Sequence, residues 1–168
     1  MFDLLIQNGR VVDGISQTWY RAGIGISGDT ISILRGDTSA AAADAGRVID
    51  ASGHVVCPGF IDMHSDSDLM LLGDPRHEAK LRQGVTTECL GMDGLSYAPT
   101  SPTNLEHLLT YLAAVNGTPP SGIRWNSVKE FLDLLDGNAA CNVIYMVPHA
   151  SIRVEAMGWE IQPPTPDV

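Results

Sequence analysis

The sequence predicts an α/β chain in two parts: a small β-domain over residues 1–58, then strands alternating with helices over 59–168. Three observations predict it. Short apolar runs separated by Asn-Gly, Asp-Gly and Gly-Asp dipeptides fill the first third. Later apolar runs switch between β-branched stretches and stretches of helical period. An apolar fraction of 44% with 18% charged residues supplies core enough for one ordinary domain, or a small domain plus part of a larger one.

The elements follow in order. Leu4–Ile6 precede Asn8-Gly9, a hairpin dipeptide, and Val11-Val12 follow it. Asp13-Gly14 is the next turn. Ile24 and Ile26 alternate with Gly25 and Ser27, and Gly28-Asp29 reverses the chain into Ile31–Leu34. The Ala- and Gly-rich stretch Asp37–Gly46 reads as a surface loop. Val48-Ile49 and Val55-Val56 flank the turn Ser52-Gly53. Together these predict an antiparallel β-domain, marginal alone at this size.

From Pro58 the pattern changes. Phe60–His64 reads as a strand. Asp74-Pro75 reads as a helix start, and Gly84 as the stop of that helix. Val85–Leu90, rich in β-branched residues, is a second strand. Thr103 with Glu106 makes a capping box before the face Leu105, Leu108, Leu109 and Leu112. Ser127 with Glu130 repeats the device before Phe131, Leu132 and Leu135, and Val143–Val147 is a third strand. Strand–helix alternation of this kind indicates a parallel sheet. Three strands are too few for a closed barrel, which takes about 200–250 residues. Thr165-Pro166-Asp167 reads as one more helix start, one residue before the sequence stops. The expectation is therefore a truncated chain, the alternative a Pro-rich tail.

Charge excludes some functions. Twenty acidic against ten basic side chains give a net charge of -10. No cationic surplus is available to replace phosphate counterions, so nucleic acid is not an expected partner. The same balance argues against a polybasic membrane anchor, and no apolar run approaches the ~18–20 residues of a span. Cys57, Cys89 and Cys141 are odd in number and far apart, which favours buried thiols in a reducing cytoplasm over a disulfide framework.

Three segments carry candidate chemistry. In Asp62-Met63-His64-Ser65-Asp66, side chains two apart on a strand share a face. Asp62, His64 and Asp66 would then project together, with Ile61 and Met63 on the opposite face against the helices. Imidazole nitrogen and carboxylate oxygen suit Zn²⁺ and related divalent ions; a hydrogen-bonded strand end is the plainer alternative. In Gly91-Met92-Asp93-Gly94-Leu95-Ser96 the glycines permit a sharp bend that aims Asp93 at the strand's C-terminal mouth, although an ordinary turn aspartate reads the same way. Finally, His149 follows the third strand, and Arg153 can pair bidentately with a carboxylate or stand as a surface charge. His54, His77 and His107 read as solvated.

Taken together, the opening Asp3–Gly14, the segment Pro58–His64, Gly84-Val85-Thr86-Thr87, the block Gly91–Pro99 and His149 with Arg153 resemble the amidohydrolase superfamily, in particular its N-acyl-D-amino-acid deacylase (D-aminoacylase) branch. The resemblance implies a β-sandwich-type domain followed by the first three βα units of a (β/α)₈, TIM-like metal-dependent hydrolase barrel. It implies hydrolysis of the N-acyl amide of N-acyl-D-amino acids at a divalent metal, most often zinc. His64, Asp66 and Asp93 are then the implied metal ligands, with His149, Arg153 and Ser96 lining the substrate. Two positions depart from the family pattern. Asp66 stands where the family has the second histidine of His-x-His, and Asp93 where its best-studied branch has a cysteine. Oxygen for softer donors shifts preference towards harder ions. The family's later histidine ligands and its general-base aspartate would lie downstream of this chain. A cyclic-amide hydrolase of the hydantoinase or dihydroorotase type, or a catalytically silent fragment, are the competing expectations. The implied partners are a small N-acyl amino acid and a complementing C-terminal portion or a second copy of the chain.

Overall fold

Turn-forming residues near the N-terminus steer the chain between sheets instead of folding it back on itself. The computed structural model describes residues 1–164 and divides the chain into two units, Met1–Pro58 and Gly59–Val168. The expected helix start at Thr165-Pro166-Asp167 lies outside the described residues.

In the first unit, β1 (Phe2–Gln7), β4 (Gly23–Ser27), β5 (Thr30–Leu34) and β6 (Ala45–Asp50) form one sheet in the order β5-β4-β1-β6. A second sheet holds β2 (Arg10–Val11), β3 (Tyr20–Arg21) and β7 (Val55–Val56) in the order β3-β2-β7. Gly28-Asp29 closes the expected two-residue hairpin between β4 and β5. Asn8-Gly9 does not close one. Asn8 takes φ 64°, as its type allows, but the bend carries the chain from β1 in one sheet to β2 in the other. The expected all-antiparallel pairing is also corrected, because β1–β6 and β2–β7 run parallel. Ser39–Ala43 within the expected loop forms a short helix, α1. Val11, Ala22 and Ile24 make a small buried cluster, with Ile26 and Val56 packed against it.

The second unit is a parallel sheet in the order β8-β9-β10, formed by Phe60–Asp62, Val85–Leu90 and Asn142–Tyr145. Between β8 and β9 lie α2 (Met70–Gly73) and α3 (Glu78–Leu81). After β9 come a 3₁₀ turn (Met92–Gly94), α4 (Pro102–Tyr111), α5 (Ala113–Asn116) and α6 (Val128–Leu135); α7 (His149–Met157) follows β10. Leu90, Leu105, Leu108, Phe131 and Leu135 form the core with Trp125, whose indole N–H donates to the Tyr97 carbonyl at 2.9 Å.

Capping residues set the helix ends. Ser127 and Glu130 form a reciprocal capping box that satisfies two otherwise orphaned donors. For α4 the cap is Ser101, with Pro102 in the first turn, rather than Thr103. Asp74 caps the C-terminus of α2 instead of starting a helix. Among the described residues no helix is long and apolar enough to cross a membrane.

Register decides which way β8 faces. Asp62 pairs with Glu88, and Glu88 with Val143, so these three share a face. That face meets the helices: Val143 packs on the core, and Lys80 of α3 binds Asp62. Ile61, Cys89 and Ile144 point the other way, leaving Ile61 57% and Ile144 46% exposed. The expected orientation of β8 is therefore reversed. Its polar face, not its apolar one, meets the helices, because an ionic network around the buried Glu88 takes the place of apolar packing there.

Candidate functional site

The loops that leave β8 and β9 at their C-terminal ends bring three side chains together. β8 ends at Asp62, so the alternation expected through Asp66 stops short. Asp62 turns back instead: one carboxylate oxygen accepts the His64 N–H at 3.1 Å, and the other binds the Lys80 ammonium. Lys80 first, then the His64 N–H, holds the Asp62 carboxyl below its ordinary range. Asp62 is thus committed away from the site. The chain then runs beside β9, where the Ser65 N–H donates to the Cys89 carbonyl at 3.3 Å.

After β9 the backbone bends through three left-handed residues, Gly91 (φ 76°), Asp93 (φ 57°) and Gly94 (φ 72°). Gly91 is obligatory, since a Cβ there would lie 2.0 Å from the Met146 carbonyl oxygen. This bend carries Asp93 to His64, with Oδ2 3.4 Å from Nε2. Ligand atoms of His64, Asp66 and Asp93 all lie within 4.8 Å of one another, and all three residues are solvent-exposed. Asp66 arrives through an irregular loop and not through strand geometry. One imidazole and two carboxylates form a donor set that fits a divalent cation of the zinc type.

The other candidates are placed differently. His149 is the first residue of α7, and its Cβ would lie 3.5 Å from a Cβ built on Gly94, so it stands beside the Asp93 bend. Arg153 turns away, donating to the Gln162 carbonyl at 2.8 Å. Ser96 is fully buried with its hydroxyl bound to Asp68, so the expectation of an open substrate-lining hydroxyl is corrected.

Sequence reasoning missed two buried acids. Glu88 is fully buried on β9. It accepts from the Ser65 hydroxyl and lies 2.8 Å from His77 Nδ1, with Lys80 Nζ at 3.8 Å. Burial pushes its carboxyl up, but hydrogen bonds from Ser65, Ser67 and His77 outweigh this and hold it below its ordinary range. The Cys141 thiol, 3.5 Å away, is pushed up to about 11 by burial and by this carboxylate. His77 is therefore no solvated side chain. The signal was a charged residue inside an otherwise uncharged strand. The second acid, Asp68, is also fully buried. Its Oδ1 accepts the Gly91 N–H at 3.2 Å and the Ser96 hydroxyl, while Oδ2 has no partner among the described residues. Burial pushes its pKa up to about 6 against those hydrogen bonds.

Comparison with known proteins bears on this arrangement. A family profile described as "Amidohydrolase family" matches residues 47–167. An N-acyl-D-glutamate deacylase of Alcaligenes xylosoxydans xylosoxydans is 38% identical over 156 residues, which cover 92% of this chain and 30% of that protein. A D-aminoacylase of the same organism is 38% identical over 157 residues, 93% of this chain and 31% of its own length. Among solved structures, an N-acyl-D-glutamate deacylase of Bordetella bronchiseptica, complexed with zinc and a phosphonate mimic of the tetrahedral intermediate, superposes with a TM-score of 0.80. That match has 34% identity and covers 99% of this chain and 33% of that one. The chain thus spans about a third of the length of the relatives it matches.

Proposed function

The chain belongs to the amidohydrolase family, and from that premise we propose that it forms the N-terminal portion of a metal-dependent deacylase hydrolysing the amide of N-acyl-D-amino acids. The observation that carries this reading is the convergence of His64, Asp66 and Asp93 from two successive loops at one end of a parallel sheet. Its three parallel strands, each followed by helix, fit the first three units of a (β/α)₈ barrel, whose active sites gather at that end. The free thiols of Cys57, Cys89 and Cys141 support a reducing, cytoplasmic setting.

His64, Asp66 and Asp93 would hold the ion, zinc foremost. When bound, such an ion supplies Lewis acidity, polarising the acyl carbonyl and bringing the pKa of water towards ~7. The chain's own residues prepare the place. Asp93 and Asp66 bring negative charge that offsets a divalent cation, and the exposure of all three residues leaves room for water and an acyl group. His149, beside the Asp93 bend, lines the route to the ion.

Activity and stereochemistry are tested on a longer protein carrying this sequence. Release of free amino acid from N-acetyl-D-glutamate or a neutral N-acetyl-D-amino acid, abolished by chelation, is the expected result. Turnover of hydantoins without turnover of N-acyl-D-amino acids overturns the reading.

A further inference from the structure

Asp68 is a charged group, fully buried, that no part of the proposed hydrolysis uses. It lies two residues beyond Asp66, in the loop leaving β8. Its Oδ1 accepts the Gly91 N–H at 3.2 Å and the Ser96 hydroxyl. Those two donors bracket the bend that carries Asp93. The Ser96 carbonyl in turn accepts the Ser151 hydroxyl of α7 at 2.9 Å. Ser96 and Ser151 are fully buried as well. A continuous buried chain, Asp68–Ser96–Ser151, therefore ties together the segments that leave β8, β9 and β10.

From this chain, and resting on the metal reading above, we infer that Asp68 is a positioning residue: it holds the bend bearing Asp93 against the loop bearing His64 and Asp66. The physical argument has two parts. A non-glycine residue at φ 57° persists only where its surroundings over-determine it. Asp68 supplies that constraint, because without its oxygen the buried Gly91 N–H loses its acceptor and the Ser96 hydroxyl loses its carboxylate partner. Secondly, His64 and Asp93 belong to different loops, so the 3.4 Å between them is fixed only as well as the loops are fixed to each other. A metal site tolerates errors of a few tenths of an ångström, and loss of a supporting hydrogen bond typically costs 10–100-fold in metal affinity.

The distribution of bonds sets a specific requirement. Both donors use Oδ1, and Oδ2 has no partner among the described residues. An acceptor oxygen in the Oδ1 position is what both bonds require. Asp68→Asn keeps such an oxygen, whereas Asp68→Ala removes it.

The experiment uses the chain itself with two readouts. In metal-free protein, hydrogen exchange should quicken about tenfold across Gly91–Ser96 in Asp68→Ala, with the amides of β9 unchanged and Asp68→Asn close to wild type. By calorimetry with Zn²⁺, Asp68→Ala should bind about tenfold or more weakly, and Asp68→Asn should restore binding. The visible absorption of added Co²⁺ should change in the alanine variant and return in the asparagine variant. If Asp68→Ala does not fold, Ser96→Ala removes one of the two donors and should shift both readouts the same way, less far. Unchanged exchange at 91–96 overturns the inference, as does an Asp68→Asn protein as impaired as the alanine variant. If wild type takes up no zinc while Asp68→Ala still loosens the bend, the brace stands and the metal reading falls.

Discussion

Asp93 occupies a backbone conformation that few non-glycine residues adopt, and both flanking glycines share it. This much was legible: Gly91-Met92-Asp93-Gly94 announces a bend, and a bend after a strand can aim a carboxylate. Asp93→Asn removes the anionic donor without disturbing that bend. It should lower Zn²⁺ affinity by roughly tenfold or more in calorimetry while leaving circular dichroism unchanged. Asp68 was not legible, because nothing local separates a buried aspartate from its exposed neighbour Asp66 in an alternating Ser/Asp run. Glu88 gives a pH prediction. It faces His77 and Lys80 from the α3 side, Asp62 from β8 and Cys141 ahead of β10. Its folded pKa lies below the ordinary 4.5, so the unfolded chain binds the proton first. The stability it contributes is present above about 4.5 and is lost as pH falls further. Thermal melts should show Glu88→Gln well below wild type near neutrality, with the gap narrowing as the pH drops through that value.

Of the helix starts, Ser127 was read correctly, that of α4 was placed at Thr103 instead of Ser101, and Pro75 misled the reading at Asp74. Ser127 and Glu130 form their reciprocal box, and Ser127→Ala should cost about 1 kcal/mol, measured by urea unfolding. Asp74-Pro75 resembles a helix start, yet Asp74 ends α2, since the chain must turn twice within a short span to return to β9. Strand direction was the harder problem. Periodicity shows which residues share a face of β8 but not which face meets the helices. Only the pairing of Asp62 with Glu88 settles that. The pairing carries a register shift between Phe60 and Ile61. At this irregularity Thr86 crowds Gly59, whose missing Cβ would lie 2.1 Å from Thr86 Oγ1. Gly59→Ala should therefore destabilise the second unit by about 1–3 kcal/mol in the same melts. Pairing it with Thr86→Gly should recover part of that loss.

The chain places its apolar core on the helix side of the second unit's sheet and leaves Ile61 and Ile144 exposed on the other. Among the described residues β8 and β10 pair on one side only, and the exposed apolar side chains of Ile61 and Ile144 favour association. Sedimentation should show concentration-dependent self-association, reduced when Ile61 and Ile144 are both replaced by Gln; a monodisperse monomer would contradict this. The sequence foretold the parallel strands of the second unit, but not that Asn8-Gly9 passes the chain from one sheet to the other instead of reversing it, because a turn dipeptide is silent about which strand its neighbours join. The three candidate ligands sit on exposed loops, none of them in the hydrophobic core. Chelation should therefore leave the circular dichroism melt of the protein unchanged, since no candidate ligand is part of what holds the core together.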